Sequence, residues 1–237
     1  MKEDVLKVCA FSDTHGQYDF EVKPCDIVLI CGDIVPLQIQ SYISQSLKWF
    51  KDEFVPWCNN LPCDKVIFVA GNHDFFAERA SFTINDIISG TKIIYLFNEN
   101  YTYIDSNNHE WTVFGTPLCK QFGRWAFMHS NDYNKTYYDL MNDNTNIVIT
   151  HDMPYCMNDV CLQKTPWSNN MEHLGNIPLR QVVDEKKPRY VFGGHLHSGD
   201  HNLIDYDGIQ CVNVSLLDEE YKLTYQPFYI DIPWLSD

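Results

Sequence analysis

The feature that most constrains this chain is a short apolar run that stops at a cluster of polar side chains. Residues 66–70 read Val-Ile-Phe-Val-Ala and are followed by Gly71, Asn72, His73 and Asp74. A β-branched run of this length ended by Gly is typical of a buried strand. A simple turn after the strand would also use Gly and Asn. Asn, His and Asp together, however, offer amide, imidazole and carboxylate groups for binding or catalysis.

The same plan recurs along the chain. We predict strands at residues 5–11, 26–31, 66–70, 147–150 and 190–192. The polar residues that follow them include Asp13, His15, Asp33, Asn72, His73, His151, His195 and His197. Because open α/β sheets bind ligands at the carboxyl ends of their strands, we expect these side chains to converge. A single histidine is more often an ordinary surface or core residue, but five of the nine lie at these ends.

The segments between the first strands carry a helical pattern. Apolar residues at helical spacing between positions 39 and 54 predict a helix that Pro56 closes. A second helix is predicted over residues 84–88 and ends near Gly90. Alternation of strands and helices favours parallel pairing of the strands.

The pattern changes in the second half of the chain. A hairpin is predicted around residues 105–108, and a helix over residues 178–186 takes Asn176 as its N-cap. Alternating residues between positions 203 and 232 favour antiparallel strands. The whole chain, residues 1–237, is therefore predicted to form a single mixed α/β domain.

Charge and hydropathy limit the kind of partner. The formal net charge is −15, which opposes binding of extended nucleic acid, because proteins that bind it present basic patches. The acidity mainly favours solubility, and it does not oppose a small phosphate ester held through metal ions. No apolar run approaches the length of about 18 residues typical of a membrane span, so we expect no transmembrane helix. No basic start followed by an apolar segment is present at the N-terminus, so we expect no signal peptide.

The cysteine pattern indicates reduced thiols. The chain has nine cysteines, an odd number, and no CxxC pair. Cys58 with Cys63, or Cys156 with Cys161, would be near enough in sequence to pair, but nothing in the sequence requires a bridge. We therefore expect free thiols and a cytoplasmic location.

The donor types at the strand ends favour a metal site. Carboxylate oxygen, amide oxygen and imidazole nitrogen, without thiolate, suit manganese, iron, zinc or nickel. There are too many donors for one four-coordinate ion. Two ions about 3.5–4 Å apart would use them, provided that one carboxylate is shared.

The order of the motifs resembles a known family. In chain order they are Asp13-Thr14-His15, Gly32-Asp33, Gly71-Asn72-His73-Asp74, His151 and Gly194-His195-Leu196-His197. They are similar, over roughly residues 5–215, to the calcineurin-like metallophosphoesterases. Further residues resemble the metallophosphoesterase-domain-containing branch, which includes enzymes that act on cyclic nucleotides: Ser12 to Gly16, Gly115-Thr116-Pro117, Trp125-Ala126-Phe127 and Thr150 to Pro154. One departure is Pro36, where the wider family often has a second acid.

The resemblance implies a fold and a role for each motif residue. The fold would be a four-layer metallophosphatase sandwich, in which two mixed β-sheets are flanked by α-helices. One ion would be held by Asp13, His15 and His197, the other by Asn72, His151 and His195, and Asp33 would bridge them. His73 would protonate or stabilise the leaving oxygen, and Asp74 would orient His73. The two divalent ions, with manganese favoured, would activate a bridging hydroxide that attacks phosphorus.

The charge of such a centre favours small phosphodiesters as substrates. Two divalent cations, two aspartates and one hydroxide leave a single positive charge, which a diester monoanion neutralises and a monoester dianion exceeds. Arg124 would offset that difference, so a phosphomonoesterase or nucleotidase remains an alternative. A non-catalytic metal-binding scaffold is disfavoured by the presence of His73.

Two irregular stretches, residues 116–130 and 153–175, add candidates for substrate binding. Arg124 would meet phosphate and Trp167 would stack on a ring of the substrate. For Trp125 and Phe127, ordinary packing against the sheet is the favoured interpretation.

Overall fold

Two large β-sheets lie face to face, with helices on their outer surfaces, in the computed structural model, which describes residues 4–162 and 171–235. Strands are numbered in chain order. The five-stranded sheet contains β1 (Val5–Phe11), β2 (Ile27–Cys31), β3 (Lys65–Val69), β4 (Ile93–Tyr95) and β15 (Phe228–Pro233). Its order is β15-β1-β2-β3-β4, and the neighbours are parallel except that β15 runs antiparallel to β1.

The second large sheet has six strands. They are β5 (Glu99–Ile104), β6 (Glu110–Thr116), β9 (Ile147–Thr150), β12 (Tyr190–Gly193), β13 (Ile204–Tyr206) and β14 (Ile209–Asn213). In the order β13-β14-β12-β9-β6-β5, the four central strands are parallel and each edge strand is antiparallel to its neighbour. Two small sheets pair β7 (Cys119–Lys120) with β8 (Met128–His129), and β10 (Val160–Cys161) with β11 (Glu172–His173).

The described residues form six α-helices and one π-helical turn. The helices are α1 (Ile43–Trp49), α2 (Val55–Asn60), α3 (Phe75–Arg79), α4 (Ser81–Ile88), α5 (Asn131–Tyr138) and α6 (Ile177–Lys186), and the π-helical turn is Phe50–Phe54. In the described part of the chain, no helix is both long and apolar enough to span a membrane.

The alternation of side chains along a strand explains the layers. On β1, Leu6, Val8 and Ala10 face the second sheet and join the core between the sheets. Cys9 and Phe11 point the other way and pack in the core beneath the helices. Because both faces of the central strands are buried, these strands read as continuous apolar runs.

The strand predictions hold closely in both sheets. The bounds predicted for β1 and β9 are the observed ones, β2 and β12 differ by one residue at one end, and β3 is shifted by one residue. The hairpin around residues 105–108 forms between β5 and β6. Asn176 is the N-cap of α6, as predicted.

The helix predicted to end at Pro56 instead continues past it. It begins at Ile43, widens into the π-helical turn and resumes as α2, with Pro56 in the first turn of α2. A proline is tolerated there because the first-turn N–H groups have no partner within the helix. The prediction was wrong because the π-helical turn allowed a new helical start without a break in the chain.

The tail was predicted as one antiparallel unit but divides between the two sheets. Strands β13 and β14 pair antiparallel, whereas β14 also joins β12 in parallel and β15 joins β1 in the other sheet. Alternating hydrophobicity indicates that a segment is a strand, and it does not indicate which sheet edge the strand will join.

No disulfide links the nine cysteines. Cys58 and Cys63 are both thiols, and so are Cys156 and Cys161. Burial raises the pKa of Cys9 to about 12, which keeps this thiol protonated. The expectation of thiols rather than bridges is confirmed.

Asn176 ties α6 to the loop that follows β9. Its Oδ1 accepts from the N–H of Leu179 (3.1 Å), and its Nδ2 donates to the hydroxyl of Tyr138 (2.9 Å) and to Oδ2 of Asp152 (3.2 Å). All of these atoms are buried, so loss of the amide would leave several polar groups without a partner.

We expect Asn176→Ala to lower the free energy of unfolding by about 2–3 kcal/mol, measured by urea denaturation with an unchanged m-value. Ser130→Ala is the matched control, since Ser130 caps α5 at an exposed position with a longer contact of 3.4 Å to Tyr133. We expect that substitution to cost below about 1 kcal/mol. Equal losses in the two variants would contradict the bridging role of Asn176.

Candidate metal centre

Three groups of histidine and aspartate side chains lie beyond the carboxyl ends of the parallel strands. Within each group the candidate ligand atoms are all within 4.8 Å of one another. The groups are Asp13, His15 and His197; His15, Asp33 and His73; and Asp33, His151 and His195. His15 and Asp33 each belong to two groups, so the three form one continuous centre. Asn72 joins it, with its Oδ1 at 3.0 Å from Nε2 of His151.

Asp33 lies in the middle of this centre. Its Oδ2 is 3.8 Å from Nε2 of His15 and 3.4 Å from Nε2 of His151. Its Oδ1 accepts from the main-chain N–H of His73 (2.8 Å). Since His15 and His151 were assigned to different metal ions, the carboxylate of Asp33 lies between the two expected sets of ligands.

Asp13 connects the centre to the second sheet. Its Oδ1 is 3.3 Å from Nε2 of His197, and its Oδ2 accepts from the hydroxyl of Ser215 (2.8 Å) and the N–H of His195 (2.9 Å). These partners follow β12 and β14, whereas Asp13 follows β1. The carboxylate therefore fixes the loops of one sheet against those of the other.

Three of the histidines are held in the same way, with Nδ1 facing a main-chain carbonyl. The pairs are His15 with Val35 (3.2 Å), His151 with Cys31 (2.9 Å) and His197 with Asp218 (2.8 Å). A carbonyl oxygen only accepts hydrogen bonds, so each Nδ1 carries a proton and Nε2 is the nitrogen that faces the rest of the centre.

The surroundings of Nε2 of His15 indicate whether the centre suits a cation. It is buried and has no hydrogen-bond partner among the described residues. A buried polar nitrogen without a partner is costly unless something binds it. With the nearby carboxylate oxygens of Asp13 and Asp33, the donor set suits a divalent cation.

Burial and charge compensation set the pKa values of the centre. Burial lowers the pKa of His15 to about 4 and that of His195 to about 3. Burial alone would also lower the pKa of His151, but the Asp33 carboxylate raises it to about 10. Burial would raise the pKa of Asp33, yet His151 and the other imidazoles hold it well below its usual range. A proton on His151 thus balances the buried carboxylate of Asp33, a task that a bound cation would take over.

The backbone of the centre is strained. Asp13, His15, Asp33 and His195 all have positive φ angles, of 56°, 43°, 50° and 70°. Non-glycine residues rarely adopt this left-handed conformation, which costs about 1–3 kcal/mol each and persists only where the surroundings impose it. Such strain clusters at functional sites.

Two motif glycines allow the strands to approach the carboxylates. A Cβ atom at Gly71 would lie 2.2 Å from Oδ1 of Asp33, and one at Gly194 would lie 2.4 Å from Oδ2 of Asp13. Both distances are far shorter than van der Waals contact. The glycines in these motifs are therefore explained by the space that the two aspartates occupy.

His73 faces the centre and is partly accessible, with 12% of its side chain exposed. Its Nε2 is 3.9 Å from Oδ2 of Asp33, and its Nδ1 is hydrogen-bonded to Oε1 of Gln40. The ring packs against Trp125, with 4.5 Å between ring centroids, and against His15 at 5.0 Å. The ring is thus held on three sides while Nε2 points inward.

Asp74 does not orient His73, contrary to the expectation from sequence. Its carboxylate accepts from the main-chain N–H groups of Gly71 (2.8 Å), Ile34 (3.2 Å) and Val35 (2.9 Å). Buried main-chain N–H groups need hydrogen-bond acceptors. The carboxylate of Asp74 is the acceptor for N–H groups in the loop after β2 and in the loop after β3. Burial, together with the nearby Asp33, raises the pKa of Asp74 to about 7.

The predicted substrate-binding residues have different outcomes. Arg124 is exposed and makes no ion pair or hydrogen bond within the described ranges. Trp167 lies outside those ranges. Phe127 is fully buried, as expected for packing, but Trp125 is 36% exposed and lies beside His73.

Tyr221 lies at the centre although no motif indicated it. Its ring centroid is 5.2 Å from those of both His15 and His197, with the rings edge to face. The N–H of Tyr221 donates to the carbonyl of Asp218 (2.9 Å), the same oxygen that faces Nδ1 of His197. The turn that carries Tyr221 comes from the tail, and only the fold brings it to the centre.

Two aspartates among several histidines at the carboxyl edge of two mixed sheets form a candidate metal centre, and comparison with known proteins gives the family of the chain. Residues 6–199 match the family model described as calcineurin-like phosphoesterase, and the chain belongs to that family. Members of this family generally use a dinuclear divalent metal centre, and membership indicates that the chain is a hydrolase.

Individual relatives are distant. The chain is 26% identical over 245 residues to the human metallophosphoesterase domain-containing protein 1, a match that covers 95% of this chain and 70% of that protein. It is 25% identical over 228 residues to a probable rhamnogalacturonate lyase C of Emericella nidulans, covering 93% of this chain but only 20% of that protein.

A solved structure supports the fold. The phosphopantetheinyl hydrolase of Mycobacterium tuberculosis is similar with a TM-score of 0.57 at 11% identity, covering 92% of each chain. At this identity the likeness concerns the fold alone. The predicted metallophosphatase sandwich of two mixed sheets flanked by helices is confirmed.

We expect Asp33→Asn to lower the metal content more than Asn72→Ala and to abolish activity, because only the first change removes charge between the two sets of ligands. Metal per chain, measured by mass spectrometry after gel filtration, is the readout. Asp184→Asn, an exposed change on α6, should keep the wild-type content. Two ions per chain in Asp33→Asn would contradict the shared role of Asp33.

Proposed function

We propose that this protein is a phosphoesterase that uses two divalent ions to hydrolyse small phosphodiesters, with cyclic nucleotides among the candidates. The observation that carries the proposal is the position of Asp33 between His15 and His151. Asp13, His15 and His197 would hold one ion, Asn72, His151 and His195 the other, and Asp33 would contact both. Ions held there would supply Lewis-acid activation of water and of the phosphoryl group.

His73 is the candidate general acid. The Nε2 atoms of His15, His151 and His197 would be engaged as ligands, so they would have no proton to give. His73 instead offers an inward Nε2 on a partly accessible ring, and we assign it the protonation of the leaving oxygen.

The preference for diesters rests on charge. Asp13 and Asp33 are the carboxylates in the three candidate groups among the described residues, and the remaining donors are neutral when they bind metal. With two divalent ions and one activated water, the centre favours a substrate with a single negative charge. Arg124 makes no ion pair in the described part of the chain and would balance a second charge. A phosphomonoesterase or nucleotidase is therefore the alternative.

Three exposed aromatic rings surround the centre, and we call them the aromatic rim. Phe122 lies 5.5 Å from His195, Trp125 lies 4.5 Å from His73, and Tyr221 lies beside His15, measured between ring centroids. Exposed aromatic side chains at a site favour substrates with a flat group that can stack. The rim supports esters that carry such a group.

Two further assignments complete the proposal. Manganese is the ion we favour, since carboxylate, amide and imidazole ligands without thiolate suit it. The cysteines form no disulfide, which supports a reducing compartment such as the cytoplasm.

The direct test is a substrate panel with manganese added after removal of metal by chelation. The panel contains a bis-aryl diester, an aryl monoester and cyclic nucleotides. Faster hydrolysis of the diesters is the expected result. Faster hydrolysis of the monoester would favour the alternative, and hydrolysis of none would overturn the proposed function.

We expect His73→Ala to keep both metal ions but to lose turnover, by about 10²–10⁴-fold for alkyl leaving groups and much less for nitrophenyl. A good leaving group departs without a proton, which is the reason for the difference. His129→Ala serves as the control outside the centre. Equal losses for both kinds of ester would argue against an acid role for His73.

We expect Arg124→Ala and Tyr221→Leu to raise KM severalfold and to leave metal content and thermal stability unchanged, because both side chains are exposed, Tyr221 at the centre and Arg124 next in sequence to Trp125 of the aromatic rim. Phe82→Leu provides a control, since Phe82 on α4 is exposed and outside the rim. An unchanged KM in both variants would remove Arg124 and Tyr221 from substrate recognition.

A further inference from the structure

The histidines of the centre differ in what holds Nδ1. For His15, His151 and His197 the acceptor is a main-chain carbonyl, which no substitution removes. For His73 it is the side chain of Gln40, through Oε1. The orientation of His73 therefore depends on a single replaceable side chain.

The main chain on both sides of Gln40 is fixed in place. It lies in consecutive turns in which the N–H of Ile39 donates to the carbonyl of Pro36 (3.1 Å) and the N–H of Tyr42 donates to the carbonyl of Ile39 (2.8 Å). The hydroxyl of Ser46, a fully buried residue, also donates to the carbonyl of Ile39 (2.8 Å). The turn is thus anchored to α1, which fixes the main chain that carries Gln40.

Packing alone does not determine which atoms of the His73 ring face Gln40 and Asp33. Trp125 and His15 contact its faces and edges, but an imidazole turned by half a revolution would fill nearly the same space with carbon in place of nitrogen. A carbonyl oxygen at Nδ1 selects one orientation, because it accepts from N–H and gains nothing from C–H. In that orientation Nε2 faces Asp33.

We propose that Gln40 is a positioning residue that fixes the His73 ring with Nδ1–H donated to Oε1 and Nε2 directed at the leaving oxygen. This inference rests on the proposed function, in which His73 is the acid. Its basis is the contact between the two side chains and the anchored turn that carries Gln40.

The neutral side-chain amide of Gln40 is compatible with proton transfer from Nε2 of His73 to the leaving oxygen. As the bond from phosphorus to the leaving oxygen breaks, its electron pair goes to that oxygen, which takes the proton from Nε2 of His73. The N–H electron pair stays on the ring, which becomes neutral and keeps Nδ1–H donated to Gln40. Water provides the new bond to phosphorus and the proton that restores His73.

A carboxylate in place of Gln40 would add a negative charge beside His73. Residues 34–41 contain no aspartate or glutamate. The amide accepts the same hydrogen bond without binding the proton of His73 as tightly as an anion would. It therefore orients the ring while leaving the proton available.

The test compares three variants: Gln40→Leu, Gln40→Glu and the control Gln38→Leu. Gln38 is exposed in the same turn, so its replacement changes the same residue type without contacting His73. We expect Gln40→Leu to lower kcat for alkyl esters about 10-fold or more, with KM, metal content and the rate on nitrophenyl esters nearly unchanged. Gln40→Glu keeps an acceptor at the same position and should recover part of the loss, because its charge also binds the proton of His73 more tightly.

A readout independent of turnover uses the metal-free protein. In ¹⁵N-labelled histidine spectra, the Nδ1–H signal of His73 is identified by its loss in His73→Ala. We expect this signal to persist in Gln38→Leu and Gln40→Glu and to disappear, through exchange with water, in Gln40→Leu. Persistence of the protected signal in Gln40→Leu would overturn the proposed contact.

The kinetic outcomes separate the two hypotheses. Equal losses for both kinds of ester without recovery in Gln40→Glu would show that Gln40 acts only in packing. Wild-type rates in Gln40→Leu would overturn the positioning role. Absence of hydrolysis by the wild-type protein would instead overturn the proposed function, and the spectra alone would then decide the Gln40 contact.

Discussion

The structure depends on the burial of two carboxylates where the two sheets meet. Asp13 and Asp33 are almost completely removed from water, and both stand in left-handed backbone conformations. Neither state is favourable by itself. They are stabilised by what surrounds them, which is imidazole from both sheets, main-chain N–H groups and glycines that leave room for the oxygens. The loops are arranged to hold negative charge at one point.

Much of this centre was predictable because strand ends are easy to recognise. Buried parallel strands read as apolar runs, and the polar residues that follow each run must lie at one edge of a sheet. That reasoning brought together Asp13, Asp33 and His151, which belong to different strands and to both sheets. It required no knowledge of strand order, which explains why the site was predicted more completely than the topology of the tail.

What sequence could not indicate are contacts between loops that have no periodic pattern. Gln40 and Tyr221 reach the centre through turns, and their positions depend on anchors such as Ser46 and Asp218. For Asp74, the sequence instead indicated a contact that the structure does not contain. Proximity to His73 in the chain indicated that it orients this ring, yet buried N–H groups of two loops compete for its carboxylate and take it.

The same arrangement couples metal binding to folding. In the metal-free chain, protons on His151 offset part of the charge of Asp33, while Nε2 of His15 is buried without a partner in the described structure. A divalent cation would replace those protons and bind that nitrogen, so it stabilises the native state and has no comparable site in the unfolded chain. The free energy of metal binding would then offset the cost of the strained backbone at Asp13, His15, Asp33 and His195. The strain, the glycine spacing and the Nδ1 contacts of the histidines would all follow from one requirement, a preformed site for cations.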